Sequence, residues 1–248
     1  MRRGCYMVVL RMAEDELAVA NARLTGQGPD AILRWAVRQF GGRLTMATAF
    51  GAEGCCLIHL LAEIDPSVRV FNLETGYQFP ETLDLRERLR ARYGIAVEFV
   101  RPELSVADYE EMHAGPLYLY QPDQCCHDRK IVPLRKTLIG YDAWVSAIRK
   151  DQTEHRAVAD VVQWDSKFDL HKVNPLLNWT RQDVWAFIAK HDVPYNPLHD
   201  RNYPSIGCWP CTRAVVAGED ERAGRWSGTE KKECGLHVLP DQEQGSGI

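Results

Sequence analysis

Five of the chain's eight cysteines fall into three groups in its second half. Cys125 and Cys126 are adjacent in the run C-C-H-D-R-K, Cys208 and Cys211 bracket C-W-P-C, and Cys234 stands alone in E-C-G-L-H. Two pairs supply four thiolates, enough for one tetrahedral S₄ metal or an iron–sulfur site. The fifth thiol is left over, and a thiolate is a nucleophile. Each group also has a plainer reading. C-x-x-C serves equally as a redox dithiol or arises by chance. Neighbouring side chains on a helix point about 100° apart, so Cys125 and Cys126 reach one cluster only with strain, or else one of them is incidental. Lys231, Lys232 and His237 flank Cys234 and favour its thiolate; the alternative is an exposed tail cysteine without a role. Arg129, Lys130, Arg135 and Lys136 follow the first pair. They either offset thiolate charge and attract an anion or form a solvated helix face.

Two glycine-bearing loops add a second kind of chemistry. Thr48-Ala49-Phe50-Gly51-Ala52-Glu53-Gly54 follows a β-like run. Glycine there permits close backbone approach, and free amides at a helix start attract anions. Glu74-Thr75-Gly76 ends a second such run. Ligands of open α/β sheets bind at the carboxyl ends of strands, so Thr48, Gly51, Thr75 and Gly76 would line one crevice. Plain turns are the alternative for both loops. Cys55 and Cys56 sit in an apolar helical stretch and read as small hydrophobes. Cys5 is assigned no role.

The elements that must position these residues alternate. Amphipathic helices are expected over 13–24 and 29–40, strands over 44–50, 68–73 and 96–101, and helices over 55–63 and 80–92, the last opened by Pro80. Residues 125–138 read as helical, 143–148 as a strand ending in Arg149-Lys150-Asp151-Gln152, and 161–173 as two short strands. A helix over 180–190 starts at Thr180. The alternation predicts an α/β fold, a mostly parallel sheet with helices on both faces. From Pro194 onward periodicity is lost, giving a loop-rich C-terminal appendage. The division along the chain is an N-terminal helical segment (1–40), an α/β domain (41–193) and a C-terminal tail (194–248) that carries three of the five grouped cysteines.

Composition limits the function classes. The chain has 248 residues, 45% hydrophobic and 26% charged, with a net charge of −4, values suited to a globular core. An acidic balance argues against a non-specific nucleic-acid binder. No apolar run nears the roughly 18 residues that span a bilayer. The basic N-terminus, with Met7 and Met12 as alternative starts, lacks a signal-peptide core. A cytoplasmic protein is expected, in which paired cysteines favour metal binding or catalysis over disulfides.

The chain resembles the assimilatory adenylylsulfate (APS) reductases, the iron–sulfur type of the PAPS/APS reductase family. The resemblance runs from about residue 40 to 240 and rests on C-C-H-D-R-K-I-V-P-L at 125–134, G-C-W-P-C-T-R at 207–213, G-E-D-E-R-A-G-R-W at 218–226, and E-C-G-L-H at 233–237. F-N-L-E-T-G-Y-Q-F-P-E-T at 71–82 and S-A-I-R-K-D-Q at 146–152 also fit. It implies an adenine nucleotide alpha-hydrolase-like fold and one [4Fe–4S] cluster on Cys125, Cys126, Cys208 and Cys211. It implies Cys234 as nucleophile and Lys130 as the lysine linking cluster and substrate. Arg222 and Arg225 match substrate-side arginines, as does Arg149 or Arg156. The implied reaction is thioredoxin-dependent reduction of APS to sulfite and AMP through a cysteine S-sulfonate, within sulfate assimilation. The chain departs from the pattern in T-A-F-G-A-E-G, where Ser is usual near the start, and in Glu74, where Asp is usual. Its stretch from Trp226 to Cys234 is also slightly short. A PAPS or dual-specificity reductase, a zinc-bearing tRNA sulfur-transfer enzyme needing ATP and magnesium, and a non-catalytic redox sensor are the alternatives. The partner would be thioredoxin or a glutaredoxin-like dithiol, with no nucleic acid or membrane; homo-oligomerisation is left open.

Overall fold

The computed structural model describes residues 11–229, 231 and 233–237. Cys5 and Lys232 lie outside these described residues. In chain order the elements are α1 (Glu14–Leu24), α2 (Pro29–Phe40), β1 (Leu44–Ala47), α3 (Ala52–Ile64), β2 (Arg69–Leu73), α4 (Pro80–Tyr93), β3 (Glu98–Val100) and α5 (Val106–Met112). They continue with α6 (Pro122–Cys126), α7 (Val132–Leu138), β4 (Ala143–Val145), α8 (Glu154–Ala157), β5 (Val162–Asp165), β6 (Leu170–Val173) and α9 (Arg181–His191). Local chemistry sets several boundaries. Pro29 and Pro80 open α2 and α4, where a missing N–H costs nothing. Thr180 caps α9 by accepting from the Asp183 amide, and the Asp183 carboxylate accepts from the Thr180 amide at 2.7 Å, a reciprocal capping box.

The six strands form one sheet in the order β3-β2-β1-β4-β6-β5. All neighbours are parallel except the edge pair β5–β6, which runs antiparallel with Val162 opposite Val173. Alternate residues feed opposite faces, as a pleated strand requires. Leu44, Met46, Val70, Ala143 and Val145 join the main core with α1, α2, α3, α4 and α9. Phe71, Trp144 and Leu170 face the other way and pack on Leu134 and Leu138 of α7. Helices therefore cover both faces, as the sequence predicts. Cys55 and Cys56 are fully buried in the main core, and burial pushes the Cys55 thiol up to about 12. They act there as the expected small hydrophobes.

The chain leaves β1 toward β2 on one side, while β4 lies on the other. Loops after β1 and β4 therefore diverge, opening a crevice at the carboxyl ends of the strands. Beyond residue 194 the described chain has only short 3₁₀ turns, Pro197–Arg201 and Trp209–Cys211. This segment is stapled to the loop after β2: Gln78 bridges Cys208, and the Trp209 amide donates to the Tyr77 carbonyl at 2.7 Å.

Candidate active site

A cavity of about 220 Å³ occupies that crevice. Its walls include Thr48 and Gly51 from the β1–α3 connection, Gly54 in the first turn of α3, Thr75 after β2, Ser146 and Ile148 after β4, and Lys130. Arg156, Cys208, Arg222, Arg225 and Cys234 complete it. Thr48 is fixed from three sides. Its amide donates to Phe71 O at 2.8 Å, its hydroxyl accepts from the Phe50 amide at 3.0 Å, and its carbonyl accepts from Asn72 at 2.8 Å. Phe50 takes φ 56°, uncommon for a side-chain-bearing residue. The next turn can start tightly against this loop because Gly54 has no Cβ; one added there would lie 2.6 Å from the Thr48 hydroxyl.

A second, smaller void adjoins the first and is lined by Cys125, Cys126, Cys208 and Cys211 together with Thr75, Arg129 and Lys130. The adjacent pair Cys125–Cys126 ends α6, and the chain then runs as a π-helical turn over His127–Ile131 before α7. Such wide turns are rare and often mark functional sites. Lys130 lies in this turn, with Nζ 3.8 Å from Cys126 Sγ. It lines both voids. Burial alone would lower its pKa, but Cys208, Cys126 and Cys234 outweigh that and hold it above its ordinary value. Arg129 anchors the same turn: Nε donates to the Thr75 carbonyl at 2.6 Å, and the guanidinium lies over Tyr77 and Tyr109.

All four cysteines are free thiols. Burial pushes Cys125 up to about 12 and Cys211 to about 11, with thiolate neighbours adding to both. Three buried soft donors and the half-buried Cys211 face one void; as thiolates they need positive charge among them, as an iron–sulfur or metal group supplies. Among the described residues, no three His, Cys, Asp or Glu side chains converge closely enough for a single ion. Thr75 Oγ1 lies 3.3 Å from Cys208 Sγ, an outer hydrogen bond of the kind that orients ligands.

The arginines arrive on the turn after Cys211. Arg213 N donates to Gly224 O at 2.9 Å and Trp226 N to Cys211 O at 3.0 Å, so the two turns form one unit. Arg225 stacks on Trp226 with 4.3 Å to the ring centre and approaches Ser205 Oγ at 3.3 Å. Burial pulls Arg222 down to about 10 despite the pull of Glu233. It stays protonated at neutral pH.

The tail carrying Cys234 closes one wall. Lys231 pairs with Asp123 of α6, Lys167 Nζ donates to Gly235 O at 2.8 Å, and the His237 ring stacks on Trp144 at 5.9 Å and 6°. Burial, with Lys172, Arg156 and Arg222 nearby, keeps His237 well below its ordinary pKa. Cys234 is thus half-buried at the cavity wall.

Most of the expected site residues converge here, with two exceptions. Gly76 is not among the residues lining the cavity. Its φ of 81° shapes the turn instead, and its amide donates to Glu74 Oε1 at 2.6 Å. Arg149, only 3% exposed, is engaged by Glu53, by Asp151 at 2.9 Å and by Glu221 at 3.6 Å, outside the cavity lining. Sequence reading missed Trp144 and Glu233. Both act through partners far away in the chain; an isolated E-C in a polar tail gave no sign of what the Glu would meet.

A family model described as the phosphoadenosine phosphosulfate reductase domain matches residues 43–214. The chain belongs to that family. It is similar to the adenosine 5'-phosphosulfate reductase of Salinibacter ruber, 42% identical over 94% of this chain and 93% of the relative. The phosphoadenosine 5'-phosphosulfate reductase of Gloeobacter violaceus is 47% identical over 85% of this chain and 88% of its own length. Among solved structures, the phosphoadenylyl-sulfate reductase of Candida auris in a phosphate complex has a TM-score of 0.75 at 28% identity, covering 84% of this chain and all of that one. FMN adenylyltransferase of Candida glabrata, at 15% identity and TM-score 0.54, shares the fold. Family membership makes this chain an oxidoreductase on the expected α/β scaffold. Among the described residues no helix is long and apolar enough to cross a membrane.

Proposed function

We propose that the protein reduces adenosine 5'-phosphosulfate to sulfite and AMP. One observation carries this reading above all: Cys234 shares a cavity with Lys130, Arg222 and Arg225, and Lys130 and Cys208 also line the four-cysteine void. The substrate is a mixed anhydride with an electrophilic sulfur. The Cys234 thiolate attacks that sulfur, the S–O bond to AMP breaks, and a Cys234 S-sulfonate forms. Lys130, Arg222 and Arg225 stabilise the oxygens that gain charge on both sides of the breaking bond. Thr48, Gly51 and Thr75 border the space for the nucleotide.

A dithiol protein such as thioredoxin then attacks the Cys234 sulfur. Sulfite leaves with the electron pair of the S–S bond, and a mixed disulfide remains. The donor's second thiol resolves it, freeing Cys234 and leaving the donor oxidised. Cys125, Cys126, Cys208 and Cys211 would hold a [4Fe–4S] cluster, whose contribution is a fixed electrostatic environment beside Lys130. The dithiol supplies both electrons, so this chain's residues need only bind, orient and stabilise charge. In this reading 41–193 binds nucleotide and 194–248 is the cluster-binding and catalytic segment, working in a reducing, cytoplasmic setting.

The test is intact-mass analysis after incubation with APS and no reductant. A sulfonate adduct mapping to Cys234 is expected, and an unmodified Cys234 in iron-loaded protein would refute the mechanism. Turnover with PAPS in parallel decides between APS and dual specificity. Both substrates are tried because relatives named for each are similarly close.

A further inference from the structure

Glu233 precedes Cys234 and is only 6% exposed. A buried carboxylate survives only with partners, and this one has three. Arg156 Nε donates to Oε1 at 2.9 Å and Nη2 to Oε2 at 3.0 Å, a bidentate fork. Thr153 donates to Oε1 at 3.2 Å, and Arg222 Nη2 stands 3.4 Å from Oε2. Burial would raise the Glu233 pKa, but Arg156 and Arg222 outweigh it and keep the group ionised. The third nitrogen of Arg156, Nη1, donates to Gln152. Every nitrogen of the Arg156 guanidinium is therefore used by the protein itself.

Arg156 and Arg222 both line the cavity that Cys234 faces. Sulfate and phosphate groups seek the same planar fork that Glu233 fills. We propose that Glu233 is a positioning residue, which docks the tail on Arg156 and Arg222 to hold Cys234 at the cavity, and that tetrahedral oxyanions in the cavity compete with its carboxylate for these guanidiniums. This rests on reading Cys234 as the nucleophile. It gives the tail a reason to let go: a sulfonate on Cys234 brings a second negative group beside Glu233 to the same cations. Release of the docked carboxylate then exposes the modified sulfur to the incoming dithiol.

The test is the rate at which iodoacetamide modifies Cys234 in the purified, iron-loaded enzyme, read on the Cys234 peptide by mass spectrometry. Glu233→Gln keeps the shape and removes the charge; Arg156→Gln removes the receptor. Each is expected to raise the rate at least tenfold, since breaking one partner from a buried ion pair is costly. The double variant should be no faster than either single one, because both remove the same contact. Inorganic sulfate should accelerate modification of the wild type and leave Glu233→Gln unchanged. Thermal midpoints, which a general loosening of the fold would lower, serve as the control. An unchanged rate in Glu233→Gln, or rates that multiply in the double variant, overturns the docking role. A wild type insensitive to sulfate overturns the competition. The assay needs no turnover, so a missing sulfonate adduct would sink the proposed reaction without touching this result.

Discussion

Replacing Gly207 with Ala separates positioning from stability. A Cβ built on Gly207 would lie 2.5 Å from Cζ of Arg225 and 3.0 Å from its Nε. Carbon atoms at rest stand about 3.5–4.0 Å apart, so the guanidinium must retreat by about 1 Å. Gly207 does not itself have a positive φ, so its backbone accepts Ala. What gives way is the end of a long side chain that stacks on Trp226 and leans on Ser205. The loss of stability should stay below about 1 kcal/mol, as for substitutions that neither open a cavity nor strand a polar group. The loss of activity should be far greater. A misplacement of about 1 Å in a charged clamp costs on the order of 100-fold in rate, about 2.7 kcal/mol of transition-state stabilisation. Sulfite release from APS with a thioredoxin system gives kcat/KM, and a thermal melt gives stability. A variant within twofold of wild-type kcat/KM would refute the placement of Arg225 at the reacting anion. An equal collapse of melting temperature would show that Gly207 serves the fold instead.

Cys234→Ser should abolish sulfite production and the sulfonate adduct while iron content and visible absorption stay at wild-type levels; loss of both together would make the thiol structural. Thr75→Val removes the hydroxyl 3.3 Å from Cys208 Sγ and should weaken iron retention against a chelator by about 10- to 100-fold, followed by absorbance; undiminished retention would rule out that outer bond. Lys172 is 3% exposed, and burial lowers its pKa to about 8 from 10.5. The unfolded chain binds the extra proton between those values, so folding is penalised below pH 8 and the penalty fades as pH rises to about 10.5. A shift of this size corresponds to about 3 kcal/mol. In denaturant melts, wild type should therefore gain about that much on Lys172→Met between pH 8 and 10.5; a pH-independent difference would contradict the burial argument.

Local rules made the scaffold legible. Pro29, Pro80 and Thr180 announce helix starts, and each falls within one residue of the observed boundary. The four cysteines were legible as a set because their residue type and pairing carry the chemistry wherever the chain takes them. The π turn after Cys126 was not legible. Sequence periodicity over 125–138 fits an ordinary helix, and one wide turn changes which way Lys130 points without changing composition. Arg149 and Arg156 look alike on paper, both shortly after β4. Their roles diverge through partners 96 and 77 residues away, Glu53 and Glu233. The stacking of His237 on Trp144 is likewise a long-range event with no local pattern behind it.

Lys130 stands between two voids, one side chain serving both. Thermodynamics makes such sharing reciprocal. If filling the four-cysteine void changes the affinity of the larger cavity for an anion, the anion must change the grip of the cysteines by the same factor. An anion that binds better once the void is filled would in turn tighten the cysteines' hold, and one that binds worse would loosen it.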